Sequence, residues 1–509
     1  MLKKLRVIIS LILFSLITFY FLDFAALMPD QFHALTHIQV VPAILGGSFV
    51  ILIVLIALTL LFGRIYCSSV CPMGIYQDII AWVSKKTAKK RKRYTFSKAK
   101  NILRWSVVAV TFIVAIIGYP VLLGVVDPYS AYGRIVTNVF KPVYLAGNNV
   151  LESIFSSFGN YTFYKMDVAI MSVFSFVVAL ITLFAIGFFA WKYGRTYCNT
   201  ICPVGTILGF LSKYSLYKVR IDDKLCNGCG ACAMRCKASC IDSKNHTVDN
   251  SRCVDCFNCL GSCTRSALKF APYSKNKEKV VDTTKTDTNK RQFLTTAITT
   301  AITAPAILAQ EKINDLVSDK DIPTRQTPIR PPGAKADWHL MRHCTSCHLC
   351  ISRCPSRVIK PAFLEYGLGG IMQPVMTYEK GFCNYNCTVC ADICPNGALE
   401  PLTMEEKHML QIGRVHFVED ICVVITDGNN CGACAEHCPT QAVTMVPYRD
   451  GLTIPKINPD ICVGCGGCEF ICPVRPNRAI FVEGNTVHKQ RDHFEVEEKE
   501  EVQVDDFGF

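Results

Sequence analysis

Charge is what this chain has least of. Only 19% of its 509 residues are Asp, Glu, Lys or Arg, against a hydrophobic share of 50%. That balance, with a positive mean hydropathy, points to membrane segments and excludes a single ordinary soluble domain. Acid is scarcer than base, 41 residues against 54, for a formal net charge of +13. Residues 85–104 hold no acid at all. The basic residues gather beside apolar stretches, so they read as bilayer orientation and not as a nucleic-acid surface. The first apolar stretch lacks a small-residue cleavage site, which excludes a removed signal peptide. No sensor, kinase or DNA-binding segment is present, which leaves a redox-sensing or regulatory role without support.

Cysteine, by contrast, is abundant. The chain has 29 cysteines, and 28 fall into spaced groups. Cys344, Cys347, Cys350 and Cys354-Pro355 give C-x2-C-x2-C-x3-C-P, and Cys462, Cys465, Cys468 and Cys472-Pro473 repeat it. Cys226, Cys229, Cys232, Cys236 and Cys253, Cys256, Cys259, Cys263 keep the spacing without the proline. Cys383, Cys387, Cys390, Cys394-Pro395 and Cys422, Cys431, Cys434, Cys438-Pro439 are variants. Thiolates two residues apart wrap one four-iron cluster, while the fourth cysteine of a run serves the other cluster of the pair. Zinc wants a longer spacer between cysteine pairs, and a disulfide wants two facing side chains; neither suits these triplets.

Six runs in three pairs predict six [4Fe-4S] clusters and about 24 iron atoms. Crossed ligation groups Cys226, Cys229, Cys232 with Cys263, and Cys253, Cys256, Cys259 with Cys236. It groups Cys344, Cys347, Cys350 with Cys394, and Cys383, Cys387, Cys390 with Cys354. It groups Cys422, Cys431, Cys434 with Cys472, and Cys462, Cys465, Cys468 with Cys438. Cys240 is left over as a free thiol.

Four apolar stretches, about 5–24, 43–62, 102–125 and 168–190, are each near the ~20 residues a spanning helix needs. Lys and Arg place the N-terminus, the 64–101 loop and the segment after 190 in the cytoplasm, and the loops 23–42 and 126–167 outside. A weaker fifth stretch, 293–309, follows Thr288-Asn289-Lys290-Arg291-Gln292-Phe293-Leu294, which resembles a twin-arginine export signal. If it crosses, clusters lie on both membrane faces. The expected fold is thus a membrane α-helical domain (residues 1–212) with α+β ferredoxin-like two-cluster modules on both sides. One such module is 213–272 and an exported four-cluster domain is 338–485. Residues 273–337 link them, with prolines marking 310–337 as an extended connector, and 486–509 form an acidic, solvated tail. Short strands follow the runs at 267–270, 442–446 and 479–482.

Two further motifs follow the second and fourth stretches. Arg64-Ile65-Tyr66-Cys67-Ser68-Ser69-Val70-Cys71-Pro72-Met73-Gly74 and Arg195-Thr196-Tyr197-Cys198-Asn199-Thr200-Ile201-Cys202-Pro203-Val204-Gly205 share R-x-Y-C-x3-C-P-x-G. The duplication predicts that Cys67, Cys71, Cys198 and Cys202 converge as one redox site, either a seventh iron–sulfur centre or a dithiol–disulfide relay. The competing reading is that Pro72 and Pro203 end helices and the thiols merely pack.

Four stretches, two C-x3-C-P motifs and a following two-cluster module resemble NapH, the membrane ferredoxin of periplasmic nitrate reductase systems. The export-like signal followed by four runs resembles NapG, its exported partner. The whole order resembles a NapH–NapG fusion. Lys237 and Thr264 depart from the proline usual after the fourth cysteine, and Lys290 from an arginine. The resemblance implies quinol oxidation at a bacterial inner membrane. It implies electron delivery to a periplasmic partner, a c-type cytochrome or reductase. His33 and His37, with Asp23 and Asp30, are candidate proton acceptors in the first outer loop, and Asp127 is a further one. The alternative is an electron donor for the assembly or maturation of a metalloenzyme.

Overall fold

The computed structural model describes residues 2–25, 27–87, 94–272 and 325–491. The Lys290-Arg291 signal, the fifth apolar stretch and the tail from 492 onward lie outside the described residues.

The helical body contains α1 (Leu2–Leu22), α2 (Phe49–Phe62), α3 (Pro72–Thr87), α4 (Asn101–Ile116) and α5 (Val173–Tyr193). α1 and α5 are long and apolar enough to cross a membrane. At 21 residues each, they run about 31 Å at 1.5 Å per residue. The other two expected spans are broken. A short helix, Val40–Leu45, stops at Gly46-Gly47-Ser48 before α2 begins. α4 stops at Gly118, whose φ is 101°, and Pro120 opens a separate turn, Val121–Val126. Glycine in a left-handed conformation followed by proline cannot continue a helix. Outward faces carry bare apolar side chains, among them Phe49 (74% exposed), Ile102 (70%) and Phe184 (68%). Such a surface is costly in water.

Each long apolar helix has one end against residues 213–272 and the other against 325–491. In the second turn of α1 Arg6 reaches Asp78 beside Lys237, and the helix ends where Ser352 Oγ donates to the Phe21 carbonyl. α2 ends where the Leu216 amide donates to the Leu60 carbonyl (2.7 Å), and the break before it lies against the Pro395 carbonyl. Arg104 of α4 donates to the Ser251 carbonyl (3.3 Å), and Tyr119 beyond it packs on Gly369. α5 starts at the Phe174–Phe363 ring pair (5.0 Å), and the Arg195 amide just past it donates to the Lys237 carbonyl (2.9 Å). The two cysteine-rich regions therefore cap opposite ends of the body.

The middle module is a small α+β unit closed by β1 (Tyr217–Ile221) paired antiparallel with β2 (Leu268–Pro272). The larger region pairs β3 (Leu410–Phe417) with β6 (Ile480–Gln490), and β4 (Val443–Pro447) with β5 (Thr453–Ile457). Two expectations change here. Residues 325–337 are not a free connector: Ile329 bridges Met376, Ala336 bridges Val487, and Ile329 and Ala334 are fully buried in the core. The last strand also runs on through Gln490, so the tail starts later than 486. The two halves of the larger region share one core, and the Cys383 amide donates to the Cys465 carbonyl (2.9 Å).

Asp78 on α3 joins three parts of the chain. Its carboxylate meets Arg6 (3.0 Å), Arg195 (2.8 Å) and Lys237 (3.2 Å). Burial alone would push this carboxyl up, but Arg195, Lys237 and Arg6 outweigh it and hold it well below the usual range. Lys237, a departure from the proline pattern, is thus a docking residue. Asp78→Asn leaves three buried cations around a neutral acceptor, and breaking such a pair costs about 3–5 kcal/mol. We expect a lower melting temperature and faster proteolysis of residues 213–272; an unchanged digestion pattern would contradict this role.

Candidate metal centres

The cysteine runs fold into loops with one repeated backbone device. In each of the four regular loops the residues flanking the second cysteine are left-handed. They are Gly228 and Gly230, Asp255 and Phe257, Ser346 and His348, and Gly464 and Gly466. A left-handed non-glycine residue costs roughly 1–2 kcal/mol, so Asp255, Phe257, Ser346 and His348 hold that shape against their preference. The device turns successive backbone N–H groups inward, as anion-binding nests do. Four amides reach cysteine sulfurs: Ser346 to Cys344 (3.4 Å), Leu399 to Cys394 (3.4 Å), Ala267 to Cys263 (3.3 Å) and Gly464 to Cys462 (3.3 Å). Inward amides stabilise thiolate charge, which is what cluster ligands need.

The side chains assemble in crossed groups. Cys226, Cys229, Cys232 and Cys263 line one cavity. Cys344, Cys347, Cys350 and Cys394 line a second, Cys354, Cys383, Cys387 and Cys390 a third, and Cys422, Cys431, Cys434 and Cys472 a fourth. Cys253 and Cys256 lie with Cys236 around Cys259, and Cys462 and Cys465 with Cys438 around Cys468. Among the described residues no three Cys, His, Asp or Glu gather closely enough for a single metal ion. All 29 cysteines are free of disulfides. Cys240 is not isolated: it is buried, with its sulfur 3.5 Å from that of Cys236.

The two C-x3-C-P motifs meet in the body as a reciprocal pair. Pro72 and Pro203 do not end helices; each opens one, at Pro72–Thr87 and Pro203–Ser212, where a missing N–H and a fixed φ suit the first turn. Cys202 caps the second helix by accepting the Gly205 amide (3.3 Å). Cys67, Cys71, Cys198 and Cys202 are all buried in one core. Arg195 Nη1 donates to the Cys67 carbonyl (2.6 Å), and Arg64 Nη2 donates to the Cys198 carbonyl (3.1 Å). Each arginine therefore serves the other repeat. A Cβ at Gly74 would strike the Cys67 carbonyl, and one at Gly205 the Cys198 carbonyl, so the final glycine of the motif admits this packing. Gln77 Nε2 lies 3.2 Å from Cys198 Sγ. Burial alone would weaken the Arg64 guanidinium, but Cys67 and Cys198 beside it raise it. Burial, Cys198 and Cys67 push the Cys71 thiol up.

The same core reaches both cysteine-rich regions. It contains Cys256 of the middle module, the four thiols, the rings of Tyr66, Tyr197, Tyr129 and Tyr132, and Leu349 and Ile393, with Cys347 packed against it. Tyr66 OH donates to Gln39 Oε1 (2.7 Å) and Tyr197 OH to the Val126 carbonyl (2.7 Å). Asp127 follows directly. It is buried and accepts the Ser130 amide (2.7 Å) and hydroxyl (2.8 Å), and burial pushes its carboxyl up to about 6. His33 and His37 stack edge-on at 5.6 Å; burial and His33 hold His37 below its usual value, and its Nε2 has no partner among the described residues. Asp23 is taken up by Arg353 and the Leu27 and Met28 amides, so it is not a free base. Sequence reasoning missed Asp78 and Gln77 altogether. Arg64, Arg195, Gly74 and Gly205 were visible as repeated letters of the motif, without a role.

Comparison with known proteins fits this chemistry. A family model described as a 4Fe-4S binding domain matches residues 45–91 and 173–222, and one described as a 4Fe-4S dicluster domain matches 429–475. Ferredoxin-type protein NapF of Escherichia coli (strain K12) is 30% identical over 146 residues, covering 29% of this chain and 80% of NapF. Ferredoxin-type protein NapG of the same strain is 29% identical over 153 residues, 28% of this chain and 65% of NapG. Methylamine utilization ferredoxin-type protein MauM of Methylobacillus flagellatus is 30% identical over 158 residues, 29% of this chain and 64% of MauM. No solved structure matches. Cradles of inward amides and thiolates, those of residues 431–472 matched by the dicluster model, define an iron–sulfur electron-transfer protein. The chain belongs to the Nap-type ferredoxin family.

Proposed function

We propose that this protein is a membrane-anchored quinol dehydrogenase that carries electrons through its helical body to a periplasmic redox partner. The observation that carries the proposal is the single core joining Cys256, the four motif thiols and Cys347. The four cradles that start at Cys347 follow one another: the short helix Leu349–Arg353 joins Cys350 to Cys354, the Cys383 amide donates to the Cys465 carbonyl, and the short helix Gly467–Ile471 joins Cys468 to Cys472. A series of that length suits sustained flow better than occasional reduction of a metalloenzyme under assembly. If the bilayer surrounds the bare apolar faces, the middle module and the larger region lie on opposite sides of it, as the Lys and Arg distribution expects. Four-iron clusters held in the cradles would supply one-electron acceptors for the two electrons of quinol.

The chain's own residues have defined tasks in this reading. The cysteines hold and orient. Arg64 and Arg195 place positive charge beside the four thiols and fix the two repeats against each other. Arg64 forms no ion pair with a carboxylate among the described residues, and the thiols of Cys67, Cys198 and Cys202 and the buried Asp255 carboxyl are the acidic groups beside it. The segments matched by the first family model contain no cysteines besides these four, which favours a seventh iron–sulfur centre over a disulfide relay. Six clusters predict about 24 iron atoms per chain and seven about 28. We expect Cys71→Ser with Cys202→Ser to lose about four iron atoms. The variant should also lose quinol-dependent reduction while the clusters of 226–263 and 344–472 keep their paramagnetic signals. Undiminished quinol oxidation would overturn the assignment.

Asp127 is the best-placed proton acceptor, buried between Tyr197 and the Cys347 loop. Its folded value near 6 lies above the ordinary 3.8. The carboxyl is therefore protonated below about 6 and becomes a base as pH rises through that value. Quinol oxidation should increase across this window, and Asp127→Asn should flatten the increase while lowering the plateau by roughly 10²-fold. A profile unchanged in the variant would assign the proton to another group.

A further inference from the structure

A cleft of about 940 Å³ lies between α1, α3 and the middle module, apart from the path just described. Five cations line it: Lys3 and Arg6 from α1, Lys85 from α3, and Arg235 and Lys237 from the module. The one carboxylate among its lining residues is Asp78, already held by Arg6, Arg195 and Lys237. Apolar side chains complete the walls, Val7 and Leu11 on α1, and Ile75, Ile79 and Trp82 on α3. These sit at helical spacings of three, four and seven, so each helix turns one continuous strip to the cleft. Leu11 and Trp82 are exposed, which opens the strip outward. Arg6 Nε is buried without a hydrogen-bond partner. The Lys85 ammonium lies 4.7 Å from the Tyr94 ring centroid, and burial, Lys237 and Arg235 push it down, a mark of crowded positive charge.

The chemistry selects the occupant. A quinol to be oxidised needs a base, and here the only carboxylate is locked by three cations. A neutral head offers these cations hydrogen-bond acceptors but no counter-charge, and Lys3, Lys85 and Arg235 are not paired with Asp78. A phosphate diester with acyl chains meets both walls: charge at the module end, hydrocarbon along the helices. We propose that this cleft binds the phosphate head group of an anionic phospholipid, with an acyl chain along Val7, Leu11, Ile75, Ile79 and Trp82. The inference rests on the reading that the helical body lies in a bilayer. A lipid there ties α1 and α3 to the loops that carry Cys232, Cys236 and Cys259, and so braces the middle module against the body.

The test uses the full cluster-loaded chain in nanodiscs, with native mass spectrometry as readout. The probes are phosphatidylglycerol, phosphatidylcholine and inorganic phosphate. Wild type should retain phosphatidylglycerol about tenfold over phosphatidylcholine. Each cation near a lipid surface is worth about fivefold in affinity, so Lys3→Ala with Lys85→Ala should cut retention about 25-fold. Lys3→Arg with Lys85→Arg should restore it. Iron content and cluster absorbance should be the same in all three proteins; if the double alanine variant loses them, Lys3→Gln alone reads the charge requirement, with about fivefold lower retention expected. Equal retention of the two lipids would overturn the proposal. So would displacement by millimolar inorganic phosphate, or a co-purified quinone lost in the alanine variant. Recovery of wild type in the membrane fraction is scored separately. A soluble wild type refutes the bilayer reading, whereas a membrane-bound protein without lipid preference refutes only the cleft.

Discussion

Two fully buried arginines govern this structure. Arg64 and Arg195 are each at most 1% exposed, and a guanidinium out of water must be answered by anions or carbonyls. Arg195 has Asp78 and the Cys67 carbonyl. Arg64 has Asn199, the carbonyls of Cys198 and Ser251, and the Cys67 sulfur at 3.8 Å. Through Asp78 the first arginine fixes α1, α3 and Lys237; through Ser251 the second fixes the middle module. The convergence of four thiols, the seating of the module and the spacing of the two repeats therefore share one electrostatic cause. Gly74 and Gly205 let the two motifs approach closely enough for it to act.

Docking at both ends follows a common rule: donors from the body reach backbone carbonyls of the cysteine loops. At one end Arg64 and Arg104 share the Ser251 carbonyl. At the other, Arg134 donates to the Ser346 carbonyl (3.2 Å), and two side-chain contacts join it: Ser130 Oγ, whose proton goes to Asp127, meets Thr345 Oγ1 (2.8 Å), and Asn138 meets His348 Nδ1 (3.1 Å). Lys141 then reaches Ser352. These residues lie on one face of a helix that passes through a π turn at Val136–Phe140, a feature that re-phases a helix and recurs at functional sites. Contacts made through backbone leave the cysteine side chains turned inward. They also place positive charge beside both loops nearest the four thiols.

Much of this was legible in the sequence, for physical reasons. Cluster ligation is local, so spacing alone yields the crossed groups around Cys259, Cys468 and the four lined cavities. Duplication made the convergence of Cys67, Cys71, Cys198 and Cys202 readable, because two equal motifs after equal helices imply a pair. The strands after the runs each begin one residue later than the expected 267, 442 and 479; the first two end within two residues of 270 and 446, while the last runs on to Gln490 instead of stopping at 482. What was not legible lies in local breaks of the helices and in contacts distant in sequence. Hydropathy cannot register Gly46-Gly47-Ser48 or Gly118 and Pro120 as breaks, since both neighbours are apolar. The prolines of residues 328–332 look like a linker until Ile329 meets Met376. Lys237 looks like a lost proline until Asp78 appears 159 residues away.

The central claim is that electrons cross the body through the four-thiol centre. It is tested most directly in sealed vesicles of known orientation, with a membrane-impermeant reductant supplied at the face of residues 213–272 and cluster signals followed by paramagnetic resonance. The account predicts that wild type reduces the clusters of both regions. It also predicts that a protein with Cys67, Cys71, Cys198 and Cys202 all replaced by serine reduces only those of Cys226–Cys263. Reduction of the Cys344–Cys472 clusters at an unchanged rate in that variant would contradict it.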